Sequence, residues 1–234
     1  MAHAAKLTAF LAVFAALLTA PAASEAADPR CERAMHAAPP VEVVLRVDHA
    51  DVAYDFTRER DDLLTIVQRH GSADASARMS GRRVHGLTHS SLSYQLQASF
   101  QLQALRDGTW CLWPGATQAE LGYSDTTVYV ARDYPPGTCA FNAVRAHEAE
   151  HVAINVAVVD AHAPRLRTAM KMAARQGFPL VGRNQADLKA RAKDMLDANF
   201  QESLRPLLND RTRRNAAIDT EHAYRALNAR CERW

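Results

Sequence analysis

Residues 146–152 read Ala-His-Glu-Ala-Glu-His-Val, with His147 and His151 four apart and Glu148 directly after the first. On a helix, positions four apart share a face and lie about 6 Å from one another, so two neutral imidazoles there can hold one small cation together. Glu148 sits one step round the helix and three before His151, where its carboxylate reaches a water on that cation without being a ligand. Each position of His-Glu-x-x-His has its own chemical reason. The imidazoles leave the charge of Zn²⁺ intact to acidify the water, and the carboxylate takes the proton and returns it to the leaving amine. In a chain of 234 residues with ten histidines, three specified positions match by chance about 2% of the time, so a metal site is preferred to two solvent-facing histidines. Glu150 fits no role in the pattern and is read as an exposed helix residue.

Two histidines do not make a catalytic zinc site; a third protein ligand is needed, with one position left for water. The longer motif with a third histidine six residues on is excluded, because that position is Ala157 and Asn155 stands near the required glycine. Asp160 lies about 180° round the helix from His151, and His162 about 16 Å along its axis. The ligand must therefore come from another element. Glu202 lies among apolar positions and reads as a boundary residue. Residues 216–224, Ala-Ala-Ile-Asp-Thr-Glu-His-Ala-Tyr, are the densest in metal-capable side chains in the C-terminal half. Glu221 is the preferred ligand and His222 the alternative, since one helix presents only one of the two to a metal. Asp219 either supports a ligating histidine from behind or caps the helix. Tyr224 shares the Glu221 face.

The elements that must carry these residues differ between the two halves. Residues 41–48, 91–105 and 126–132 favour strands; Leu92, Tyr94 and Leu96, then Phe100 and Leu102, alternate with period two. A mostly antiparallel sheet is expected over about 41–132, interrupted by one helix over 58–70 that stops at Gly71. After Tyr134-Pro135-Pro136-Gly137 the composition turns to helix formers. The motif helix is expected over 139–163, up to Pro164, with a further helical run to Gln176. Residues 184–204 repeat apolar positions at helical spacing, Pro206 kinks or ends that helix, and 215–230 read as one more. The fold class is α+β: an N-terminal mostly antiparallel sheet with one helix, then a helical layer over about 138–230 carrying the motif.

Residues 1–6 are short and basic and 7–20 form an apolar run, the pattern of a secretory signal peptide. Ser24-Glu25-Ala26 offers small residues for cleavage, so 1–26 is read as leader and 27–234 as one mature domain. The run is too short to span a bilayer, and Asp28-Pro29-Arg30 before Cys31 is wrong for a lipid anchor. A soluble, monomeric, secreted or periplasmic protein is expected. The net charge of +2 survives loss of the leader, which removes Lys6 and Glu25, and calls for neither nucleic acid nor an anionic membrane. Arg211, Arg213 and Arg214 read as a solvated face. Cys31, Cys111, Cys139 and Cys231 are even in number in an exported chain, so two disulfides are expected. Cys31 with Cys231, tying the ends, and Cys111 with Cys139 are the favoured pairs.

Three segments together resemble a family of bacterial secreted zinc-dependent proteases, gluzincin-like in arrangement: Trp-Cys-Leu-Trp at 110–113, Arg-Ala-His-Glu-Ala-Glu-His at 145–151 and Ile-Asp-Thr-Glu-His-Ala-Tyr-Arg at 218–225. That family pairs a β-rich N-terminal region with a long helix bearing the motif and a later segment of the form Tyr-Asp-x-Glu-Thr-x-His-Gly. The resemblance implies Zn²⁺ held by His147, His151 and Glu221, Glu148 as general base, and a protein or peptide of the cell envelope as substrate. Ile218, His222, Tyr224 and Arg225 depart from the family pattern. Tyr224 stands where the family has His, and its phenol can donate to an oxyanion as an imidazolium does. Two other readings stay open: a disulfide-stabilised envelope binding or structural protein, and a zinc-retaining pseudo-enzyme.

Overall fold

A computed structural model describes residues 28–70 and 84–234; the leader expected over 1–26 lies outside the described residues. Its backbone is a long antiparallel hairpin of β3 (Gly86–Ala104) and β4 (Trp110–Val130), closed by a turn in which Gly108 takes φ +81°, a left-handed conformation that costs glycine least. Along the other edge of β4, three short strands lie end to end. β5 (Leu180–Gly182) pairs antiparallel with Trp110–Leu112, β1 (Glu42–Val47) parallel with Ala116–Leu121, and β2 (Val52–Asp55) parallel with Thr126–Tyr129. The sheet is thus mixed. Alternation in sequence reports which face a side chain takes, not the direction of the neighbouring strand, so the parallel pairing of β1 and β2 had no signal to read.

Between β1 and β2 the chain stays on β4, with Asp48 N–H donating to the Leu121 carbonyl and Ala50 N–H to that of Tyr123. Gly122 makes that approach possible: a Cβ there would lie 1.4 Å from the Asp48 carbonyl oxygen, a clash with backbone that no rotamer relieves. Gly122→Ala is expected to cost about 3 kcal/mol, read as a lower denaturant midpoint.

Helix α1 (Pro29–Ala37), with Asp28 as its cap and proline at its first position, has no counterpart in the sequence reading. It carries Cys31 to Cys111 on β4, and the disulfides are Cys31–Cys111 and Cys139–Cys231. Both favoured pairings are thereby corrected. Helix α2 (Arg60–His70) follows β2. Helix α3 (Cys139–Ala173) is capped by the Thr138 hydroxyl, which accepts from Phe141 N–H. It runs on through Pro164, where a stop was expected. A mid-helix proline costs roughly 3 kcal/mol in isolation, but here the helix is packed on both sides of the proline through Val158, Val159, Ala163, Leu166 and Met170. Helix α4 (Gln185–Ile218) likewise continues past Pro206, flanked by buried Leu204 and Leu207. The main core joins Leu45, Leu121 and Tyr123 of the sheet to α3 and to Phe200, Leu204 and Leu207 of α4. A separate apolar cluster of Val84, Val130, Phe141 and Val144 lies under the first turns of α3, beside the histidine motif.

Candidate metal centre

The motif lies in the third and fourth turns of α3, on the side where that helix meets the sheet and the end of α4. His147 is buried and its neighbour Glu148 is 5% exposed. The C-terminal segment does not form one helix over 215–230. Helix α4 ends at Ile218, Asp219 leaves helical geometry with φ −94° and ψ 27°, and Thr220 caps a new helix, α5 (Glu221–Asn228), by accepting from Ala223 N–H. That corner turns Asp219 back towards α3.

Asp219 Oδ1 lies 3.2 Å from His147 Nε2 and 3.1 Å from His151 Nε2. One ligand atom from each of the three residues falls within 4.8 Å of the others. Ligands about 2.0–2.1 Å from a tetrahedral zinc lie roughly 3.3 Å apart, so the two imidazole nitrogens and the carboxylate oxygen fit that ion as a donor set. The two imidazole rings stand nearly perpendicular, at 89°, and the Tyr224 hydroxyl donates to the same Oδ1 at 3.1 Å.

His151 is oriented from behind. Its Nδ1 lies 2.6 Å from Asn215 Oδ1, while Asn215 Nδ2 donates to the Asn155 side-chain oxygen and the Arg211 carbonyl. Because both amide protons are committed, Oδ1 is the acceptor and His151 Nδ1 carries the hydrogen. In the metal-free protein Nε2, 3.1 Å from Asp219 Oδ1, therefore donates to that carboxylate; loss of this proton would leave the Nε2 lone pair free on the tautomer a ligand requires. Asn215→Ala is expected to weaken binding of a metal ion by this group about 10–100-fold, measurable by competition with a chelator.

Glu148 points into the same space with its back to the sheet. Thr88 Oγ1 lies 2.9 Å from its Oε2 and 2.9 Å from its backbone carbonyl. Gly86 leaves the room it needs: a Cβ there would stand 2.7 Å from Glu148 Oε1 and 2.5 Å from Val144 Cγ1. Burial pushes the Glu148 carboxyl up, against the opposing pull of the two imidazoles and Thr88. Burial works against the imidazolium of His151, yet the Asp219 carboxylate and the Glu148 charge lift its pKa to about 9. Asp219 is held well below the usual carboxylate range: its burial is outweighed by hydrogen bonds from His147 and His151, the His151 charge and the Tyr224 hydroxyl. In the metal-free protein the contacts of His147, His151 and Tyr224 with Asp219 Oδ1 hold the group together.

The expected ligand Glu221 is not brought to this group. As the first residue of α5 its side chain is 73% exposed and pairs with Arg225 at 2.7 Å, and His222 is exposed as well. Asp219 takes the third place because the helix breaks immediately after it, where a continuous helix had been assumed. A signal for the break was present in Thr220, a preferred capping residue, followed by Glu221, an acidic residue suited to a first helical turn. Tyr224 does reach the site, with its ring 5.5 Å from that of His147. Thr88, Asn155 and Asn215 were not assigned roles; Asn155, four residues after His151, shares its face and was the one legible from spacing.

Two disulfides close the described chain, and none of its described helices is long and apolar enough to cross a membrane. No family profile, curated protein or solved structure matches the chain.

Proposed function

We propose that the chain is an exported, zinc-dependent metallohydrolase acting as a peptidase, with His147, His151 and Asp219 holding the ion. The observation that carries this reading is the convergence of three ligand atoms within 4.8 Å beside a glutamate that is buried and held by Thr88. Zinc bound there would polarise a substrate carbonyl and bring the pKa of water to about 7. Glu148 accepts the proton of the attacking water and returns it to the leaving amine nitrogen. A buried carboxyl with a raised pKa is suited to both halves of that exchange. Tyr224 is the donor for the oxyanion on the substrate carbonyl, and Asn215 keeps His151 in its ligating tautomer. The resemblance to bacterial secreted zinc-dependent proteases leads to the same reaction and to a cell-envelope protein or peptide as substrate. The basic and apolar residues 1–26 and the paired cysteines support export.

The test is elemental analysis of the purified mature protein together with hydrolysis of an unfolded protein substrate, before and after chelation and zinc return. About one zinc per chain with chelator-sensitive cleavage supports the peptidase. Zinc without cleavage makes it a pseudo-enzyme, and failure to take up zinc from supplied metal overturns the reading.

A further inference from the structure

Strand β3 lies at one edge of the sheet. Its 19 residues pair with β4, and among the described residues no strand occupies its other side. A free edge presents a row of unpaired N–H and C=O groups ready to bond another strand, and soluble proteins blunt such edges with charges, prolines, bulges or short length. β3 uses none of these. From Gly86 to Ala104 it contains no Asp, Glu, Lys, Arg or Pro. The two irregularities in its pairing place the extra residue, Ser124 and then Gly115, in β4, so the outer strand carries no insertion.

Side-chain exposure marks the same gap. Leu92, Tyr94, Leu96 and Leu102 pack against the core, and their partners across the ladder, Tyr123, Leu121, Ala119 and Leu112, are buried. The four on β3 are nevertheless partly exposed, because nothing stands beside them on the free side. Such a strand matches itself. Antiparallel pairing with Gln97 opposite Gln97 sets Leu92 against Leu102, Tyr94 against Phe100 and Leu96 against Ala98 on one face, with only Ser and Gln meeting on the other. Directly opposite side chains in such a pair share a face and stabilise it by aromatic and aliphatic contact. A two-fold dimer needs this kind of self-complementary patch. Pairing over residues 92–102 forms roughly ten main-chain hydrogen bonds, as many as a typical specific interface carries. The lack of charge removes the repulsion that would keep two identical edges apart, and it gives a charged partner nothing to read. Residues 86–91, which include the Thr88 that holds Glu148, lie outside the paired span.

We infer that this edge joins a second copy of the chain, antiparallel about a two-fold axis at Gln97, in a homodimer with one continuous sheet, against the monomer expected from the sequence. Sedimentation velocity of the mature chain at micromolar concentrations tests this, and neither zinc nor hydrolysis enters the result, so its outcome is separate from that of the peptidase reading. The native chain is expected to sediment as a dimer. Gln97 is exposed and lies opposite Gln118 on β4, so a charge there meets none within its own chain's ladder. Gln97→Lys and Gln97→Glu each bring like charges together at the axis and are expected to weaken association at least about tenfold. An equimolar mixture of the two restores the dimer, since opposite charges then meet, and the uncharged Gln97→Ser retains it. Hydrogen exchange gives a check on the native chain alone: amides of residues 92–102 should gain protection as concentration rises through the association range. A native chain that stays monomeric overturns the inference. So does a dimer that both charged variants leave intact, a mixture of them that stays monomeric, or a dimer whose β3 amides gain no protection.

Discussion

Asp219→Ala is expected to strip zinc from the protein, while Glu221→Ala keeps about one ion per chain. Asp219 supplies the oxygen on which both imidazole nitrogens converge, so its removal leaves a two-ligand site, and the loss should exceed the roughly 10–100-fold typical of changes behind a ligand. Glu221 pairs with Arg225 across the solvent-exposed start of α5 and, among the described residues, is outside the His147, His151 and Asp219 group. Asp219→Asn separates charge from shape, because it keeps an oxygen for Tyr224 to bond while removing the carboxylate. Zinc content after dialysis reads the comparison directly, and retention of zinc in Asp219→Ala would assign the third ligand elsewhere. The same group makes the metal-free protein sensitive to pH. The pKa of His151 rises from 6.5 to about 9 on folding, so its stabilisation is complete below about 6.5 and is lost as pH climbs through 9. Asp219 shifts downwards, so its contribution is present above the ordinary carboxylate range and is lost only in strong acid. Chelated protein should therefore melt at progressively lower temperature between pH 6.5 and 9. Zinc-loaded protein should not follow that decline, since binding has already displaced the His151 proton.

The second large effect is Glu148→Gln, expected to lower the hydrolytic rate by at least 10²–10⁴-fold with zinc still bound. Glutamine fills the same volume between Gly86 and Thr88 and still accepts from the Thr88 hydroxyl, but it cannot take a proton from water. It also removes an ionisable group whose burial opposes the charged form, so the variant should be at least as stable as the native protein. An inactive, zinc-loaded and undiminished protein is the signature to look for. A variant that hydrolyses at the native rate would remove Glu148 from the chemistry.

How much of this was legible depended on whether the signal was local. The spacing of His147, Glu148 and His151 determines a shared helical face wherever that helix lies. Period-two alternation at Leu92, Tyr94 and Leu96 likewise belongs to one strand. The third ligand depended on where α4 stops, and helix-forming residues run on both sides of Asp219; only Thr220 marked the corner. Proline at 164 and 206 argued for breaks that tertiary packing overrides, since the residues around each are committed to a buried face. The disulfide partners required α1, a nine-residue helix whose docking on β4 no periodicity in the sequence announces.

The Cys139–Cys231 bond, 92 residues apart in sequence, joins the first residue of α3 to the segment just beyond α5. His147, Glu148, His151, Asp219 and Tyr224 all lie inside that covalent ring. A protease that nicks the chain between α3 and α5 therefore releases no fragment. The two pieces remain tethered, run as one species until reduced, and keep the motif and Asp219 within reach of each other.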